Sequence, residues 1–189
     1  MVMSSAVHVC WKKAALYFEI EERYCECTPE QTINPHEAVD LVDGNTILVC
    51  AIMGTTYLGN YEDVQKLNEL LGEKNKKEGL DVTIHVDAAG GGFVAPFIRP
   101  NLIWDFRLPL VCSINTSGHK CTSGYRSIMT ALVKKAGSLA EAIVSVAGGG
   151  KFVLMSRTEG NGLPIVVWRL KDEAKYDGKV FIEIPYYKL

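Results

Sequence analysis

Residues 46–53, TILVCAIM, are a nearly uninterrupted apolar run rich in β-branched side chains. A strand with one wet face alternates polar and apolar residues. A strand covered on both faces does not, and that second pattern marks a parallel sheet flanked by helices. Residues 54–60 (GTTYLGN) then read as a loop. Residues 62–78 read as a helix with Val64, Leu67, Leu70 and Leu71 inward, acids in the first turn, Lys74, Lys76 and Lys77 in the last, and Gly79 as the stop. The charged side of that helix is solvated surface. Residues 82–86 form the next strand, ending at Asp87, and a segment through Trp104 and Phe106 leads to a third strand at residues 108–112. Strand, helix, strand and crossover in this order predict a doubly wound, mainly parallel α/β sheet.

The flanking segments extend this pattern. Val9, Trp11, Ala14, Ala15 and Phe18 recur at helical spacing and predict an amphipathic helix over residues 8–18, followed by a short strand in 20–27 and a connector over 28–33. Asn34-Pro35-His36-Glu37 has the form of a helix start. The asparagine can accept a backbone N–H, proline suits the first helical position, and the glutamate can reach back. That helix carries Ala38, Val39, Leu41 and Val42 and stops at Asp43-Gly44-Asn45. Downstream, residues 125–146 read as a long helix with Ile128, Leu132, Leu139 and Ile143 inward, ended by the glycines at 148–150. Residues 152–156 and 163–170 read as two strands around a turn at 159–162.

Composition narrows the function classes. With 189 residues, 48% of them hydrophobic, the chain can bury the core of one domain and part of another. The formal net charge is −2 with basic residues dispersed, which leaves no electrostatic footprint for nucleic acid or an anionic membrane. No run approaches 18 apolar residues and the start has no charged-then-apolar leader, so a cytoplasmic location is expected. Six cysteines, Cys10, Cys25, Cys27, Cys50, Cys112 and Cys121, lie scattered, most in apolar runs, and are expected to be reduced core thiols. Cys25 and Cys27 would share one strand face, but no second pair or nearby histidine completes a metal site. Nucleotide-type phosphate loops and the G-x-S-x-G pattern of serine hydrolases are both missing from the sequence.

The chemistry is expected where the strands end. Successive parallel strands deliver Thr55 and Thr56, Asp87, and then Ser117, His119 and Lys120 to one rim, the place where open α/β sheets bind ligands. Taken singly, each has a plainer reading: Lys120 as a solvated loop lysine, Asp87 as a turn or cap residue, His119 as a satisfied structural histidine. Taken together they suggest an amine able to attack a carbonyl carbon, accompanied by an acid.

At these residues the chain resembles the group II pyridoxal-phosphate-dependent decarboxylases, and within them the glutamate decarboxylases of the eukaryotic cytosolic kind. The resemblance is carried by His8-Val9-Cys10-Trp11, the segment GTTYLGNYE at 54–62, HVDAAGGGFVAPF at 85–97, WDFRLP at 104–109, and Ser117-Gly118-His119-Lys120. It covers residues 6–120 and resumes over about 124–172. It implies a fold-type-I large domain and α-decarboxylation of L-glutamate to 4-aminobutanoate with pyridoxal 5'-phosphate. It also implies a homo-oligomer in the full-length family, with no nucleic-acid or membrane partner. Lys120 resembles the lysine that holds the cofactor as an internal aldimine, and Asp87 the partner of the pyridine nitrogen. Ala89 resembles the small residue against one ring face and His8 the planar group on the other. Thr56 is similar to the loop residue that bonds near the ring substituents. Ser117 and His119 are similar to the phosphate contacts or the groups beside the imine, and His119 joins Lys120 as a candidate for catalysis.

The departures from the family pattern carry expectations of their own. Cys121-Thr122-Ser123 runs directly into Gly124-Tyr125-Arg126, where the family has several tens of residues more. The upstream part with the family's serine-rich phosphate loop and its contacts to the distal substrate carboxylate has no counterpart here, nor does the arginine expected on the α-carboxylate. The chain is therefore expected to be a truncated product: a partial cofactor-binding large domain at 1–123, then a linking helix and the start of a small C-terminal α+β domain at 124–189. Two alternatives stand beside glutamate decarboxylase. One is a related pyridoxal enzyme acting on another amino acid; the other is a catalytically silent fragment that partners a full-length subunit.

Overall fold

The computed structural model describes residues 1–120, 134, 136–142, 145, 152–155, 163, 166–171 and 181–183. Five parallel strands, β1 (Val2–Ser4), β2 (Arg23–Cys25), β3 (Leu48–Ile52), β4 (Thr83–Ala88) and β5 (Val111–Thr116), form one sheet in the order β2-β1-β3-β4-β5. The order reverses between β1 and β3. In a sheet of this kind the crevice outside the carboxyl ends at that reversal is where ligands bind.

The apolar run of β3 is divided between two cores. Val49, Ala51 and Met53 pack with Ile84, Val86, Leu67 and Leu71 on one face, while Cys50 and Ile52 pack with Met1, Met3 and Ala15 on the other. That division is what a strand covered on both sides requires, as expected from its sequence. Helix α3 (Val64–Glu78) covers the first face. It starts at Asp63, whose carboxylate accepts the Lys66 N–H at 2.9 Å, and ends at Gly79 with φ 68°. Helix α2 (Pro35–Asp40) is capped by Asn34, whose side chain accepts from His36 N.

Several expectations are corrected. Strand β1 has no counterpart in the sequence reading, because three residues are too few to show a period, yet all three are buried and β1 sits at the reversal of the sheet. Glu62 does not belong to the first turn of α3; it precedes the cap and is buried. Glu37 lies 3.6 Å from the Cys25 thiol instead of reaching back to its own helix cap. The third expected strand is displaced: β5 begins at Val111, since Leu108 closes a turn on Asp105 and Pro109 offers no N–H to a ladder. It is also an edge strand among the described residues, with Cys112, Ser113, Asn115 and Thr116 exposed. Helix α1 (Val9–Phe18) forms as expected, but only Ala15 is buried, and Leu16, Tyr17 and Phe18 are 74–83% exposed. Cys10 and Cys112 are exposed free thiols and not core residues, while Cys25 and Cys50 are buried; Cys121 lies outside the described residues.

Of the helix expected over 125–146, residues 134 and 136–142 are described and helical, and Ala136 and Ala140 pack on Val166. The boundary expected near residue 123 and the turn at 159–162 lie outside the described residues. The two expected strands form an antiparallel pair, β6 (Phe152–Leu154) with β7 (Val166–Leu170), and β8 (Phe181–Glu183) adds a third. Leu163 joins this part to the large sheet, because its N–H donates to Gly59 O at 2.8 Å. Its side chain lies over two glycines: a Cβ on Gly54 would come within 2.8 Å of Leu163 Cδ1, and one on Gly90 within 2.9 Å.

Candidate active site

A cleft of about 340 Å³ opens at the carboxyl ends of the strands, lined by His8, Cys10, Ile52, Gly54, Thr56, Asp87, Ala89, Gly90, Asn115, Ser117 and Lys120. Six of the seven residues singled out from the sequence, His8, Thr56, Asp87, Ala89, Ser117 and Lys120, are therefore brought together. The seventh, His119, is placed by its backbone in the 3-10 turn Gly118–Lys120, and its side chain lies outside the described set. A second cleft, about 390 Å³ and lined by residues such as Glu30, His36 and Lys66, holds none of the seven. Size alone would favour the second cleft, but the convergence of strand ends favours the first.

Asp87 is the most constrained member. It is the fifth residue of β4, 6% exposed, and its carboxylate accepts three hydrogen bonds. The indole of Trp11 donates to Oδ2 at 2.7 Å, while the Asn115 amide at 3.0 Å and the Ala89 N–H at 3.1 Å both donate to Oδ1. Each carboxylate oxygen has two lone pairs. Oδ1 is thus saturated, and Oδ2 keeps one pair for a donor from the cleft.

The remaining lining residues are placed by local geometry. His8 caps α1, its Nδ1 accepting from Cys10 N at 3.3 Å, so the imidazole stands exposed at the mouth of the cleft. Gly54, with φ 97°, turns the chain out of β3 into the following loop, a conformation that favours glycine. Thr55 then points back and closes the loop on Asn60, leaving Thr56 exposed in the cleft. Gly91 and Gly92 are required by close approach. A Cβ on Gly91 would overlap the Met53 carbonyl, and one on Gly92 would overlap the Thr116 methyl. Lys120 is exposed, held by its N–H to Ser117 O at 3.2 Å. The Cys10 thiol beside them, though its residue is exposed, is pushed above its ordinary pKa by partial desolvation at the cleft and by the charge of Asp87, which keeps it protonated.

Four residues escaped the sequence reading. Trp11 and Asn115 donate to Asp87, His85 contacts both of them, and Glu62 is a buried carboxyl that feels the charge of Asp87. His85 Nε2 is 2.9 Å from Asn115 Oδ1, its Nδ1 is 2.8 Å from Ser113 Oγ, and the Trp11 ring lies 4.9 Å from the imidazole. The signal available for His85 was its offset of two from Asp87, which puts both on one face of β4. Glu62 is 2% exposed and accepts the Ile33 N–H at 2.8 Å and the Ile52 N–H at 2.6 Å. Burial pushes its pKa up to about 8 against the opposing pull of those two donors.

Comparison with known proteins places this architecture. A family model described as the pyridoxal-dependent decarboxylase conserved domain matches residues 1–147. The chain belongs to that family. Among curated relatives of this decarboxylase-family chain, glutamate decarboxylase of Petunia hybrida is 54% identical over 129 residues, covering 68% of this chain and 26% of the relative. Glutamate decarboxylase beta of Listeria monocytogenes is 46% identical over 145 residues, covering 76% and 31% respectively. The chain spans about a quarter of the length of the curated relatives it matches. The solved structure of a Lactobacillus brevis glutamate decarboxylase superposes with a TM-score of 0.83 at 28% identity, over 90% of this chain and 51% of that one. A Burkholderia pseudomallei sphingosine-1-phosphate lyase superposes at 0.71 with 17% identity, over 90% and 50%, a likeness of fold alone. The fold is that of the fold-type-I pyridoxal enzymes, present in part.

Proposed function

We propose that this chain carries the cofactor-facing part of a glutamate decarboxylase, with pyridoxal 5'-phosphate as cofactor, L-glutamate as substrate, and 4-aminobutanoate and carbon dioxide as products. One observation carries the reading: Lys120 and Asp87 line the same 340 Å³ cleft. The residues fit the group chemically. Asp87 has one lone pair on Oδ2 for a protonated ring nitrogen, and its charge favours that protonation. Ala89 offers a small side chain to one ring face and His8 a planar one to the other. Thr56 and Ser117 offer hydroxyls, and Lys120 an amine that can bind a carbonyl carbon and later carry a proton. His119, adjacent to Lys120 in the same turn, is assigned with Ser117 to the phosphate side and with Lys120 to catalysis. When bound, pyridoxal phosphate supplies the electron sink for the pair left behind by departing carbon dioxide. The chain's own contribution would be to hold the ring in place, with Asp87 at its nitrogen, Ala89 and His8 at its faces and Lys120 at its carbonyl carbon.

Residues 1–123 are assigned to the partial large domain and 124–189 to the linking helix and partial small domain. The parent enzyme is read as a cytoplasmic homo-oligomer. A second reading, a silent fragment that partners a full-length subunit, is favoured by the exposed Leu16, Tyr17 and Phe18 of α1. Adding pyridoxal phosphate to the purified chain separates the two. The first reading expects a visible imine band that Lys120→Ala removes, and carbon dioxide release from carboxyl-labelled glutamate. A band of equal strength in both proteins would remove Lys120 from its role, and a band without release would favour the second reading.

A further inference from the structure

Around Asp87 the hydrogen bonds form a chain whose direction can be read. The Asn115 amide sits between two partners, donating from Nδ2 to Asp87 Oδ1 and presenting Oδ1 to His85 Nε2 at 2.9 Å. If the amide were turned over, its carbonyl oxygen would face a carboxylate oxygen with no proton between them. The amide is therefore fixed by Asp87, and its oxygen needs a donor from His85, so the imidazole carries its proton on Nε2. Nδ1 is then the acceptor for the Ser113 hydroxyl at 2.8 Å. A second proton on Nδ1 would leave this order intact, because the serine oxygen can accept as well as donate.

Strand register makes the arrangement possible. His85 and Asp87 lie on one face of β4, and their direct neighbours on β5 are Ser113 and Asn115. The Trp11 ring lies 4.9 Å from the imidazole, and its indole N–H reaches Asp87 Oδ2.

We infer that His85 is a positioning residue for Asp87: through Asn115 it holds Oδ1 in a saturated state, so that Oδ2 alone can receive a donor from the cleft. The inference rests on the reading of Asp87 as the partner of a protonated ring nitrogen. It adds a residue that touches neither cofactor nor substrate, and it specifies which carboxylate oxygen is used.

Two measurements test it separately. In the chain without cofactor, two-bond proton–nitrogen correlation spectra report the tautomer of His85, expected to be Nε2–H; an Nδ1–H tautomer overturns the inference. In the second, ring-labelled pyridoxal phosphate is bound to the wild-type chain and to His85→Gln, His85→Asn and His85→Leu, and the ring-nitrogen shift and the dissociation constant are read. A glutamine can place its amide N–H where Nε2–H stood, whereas an asparagine reproduces only the Nδ1 side. The glutamine variant is expected to keep the protonated ring nitrogen, while the asparagine and leucine variants lose part of that protonation and bind about tenfold more weakly. Equal shifts and affinities in all four proteins overturn the inference. If the wild-type chain binds no pyridoxal phosphate, the proposed function fails, and the tautomer alone decides for or against the His85 assignment.

Discussion

Glu62 and Asp87 make an instructive pair. Both are carboxylates near the carboxyl edge of one sheet, and both are almost enclosed, at 2% and 6% exposure. Glu62 gives its two oxygens to backbone N–H groups of Ile33 and Ile52, tying the connector before α2 to the end of β3. Asp87 takes two of its three donors from side chains, Trp11 and Asn115, and still lines the cleft. Burial and hydrogen bonding are common to both. What separates them is that Asp87 also lines the cleft, whereas Glu62 does not.

The largest effect should come from breaking the brace. Glu62→Ala leaves two buried N–H groups without acceptors and creates a cavity, so a loss of about 3–5 kcal/mol is expected in denaturant unfolding. A loss below about 1 kcal/mol would mean that water replaces the carboxylate and that Glu62 braces nothing. Asp87→Asn should show the opposite profile. Removing the charge is expected to weaken pyridoxal phosphate binding by about hundredfold in an absorbance titration, with a smaller stability loss than Glu62→Ala. Comparable stability losses in the two variants would erase the distinction.

Acidity sharpens the contrast further. Glu62 has its pKa raised from 4.5 to about 8 on folding, so between these values the folded chain binds a proton that the unfolded chain lacks. Its contribution is fully present below pH 4.5 and is lost as pH rises through 8. The expected slope is a decline of up to about 1.4 kcal/mol per pH unit in that window. Unfolding midpoints measured from pH 5 upward in wild type, Glu62→Ala and Asp87→Asn should show that decline in the first and third only. A decline that persists in Glu62→Ala would assign it to another group. The smallest effect is expected from Trp11→Phe. It keeps a ring against His85 and removes one donor from Oδ2, and the loss of about 1 kcal/mol in stability should come with no gain in exposure of Asp87. Solvent-exchange protection at Ala89 N–H provides the check.

How much of this was legible in the sequence follows from the range of each interaction. The strand at β3 and the start and stop of α3 are local patterns, set by composition, Asp63 and Gly79, and they read correctly to within a few residues. The gathering of Thr56, Asp87, Ser117 and Lys120 also read correctly, because parallel strands force their ends onto one rim. What failed depends on distance along the chain. Trp11 and Asp87 are 76 positions apart, and no periodicity links them. Glu62 looked like an ordinary first-turn acid until the bridge Met53–Tyr61 folded it beneath β3. The apolar residues of α1 gave the right element but not its surroundings, since a period shows which residues share a face and not what lies against it.

Leu163 ties the antiparallel sheet to the chemistry more closely than the primary order suggests. Its side chain presses on Gly54 and Gly90, which are themselves two stones of the cleft wall. The C-terminal strands thus act as a buttress. A tilt of that sheet would be transmitted by one leucine to the turns that leave β3 and β4 at Gly54 and Gly90, and the shape of the cleft depends on a segment whose described residues contribute no lining to it.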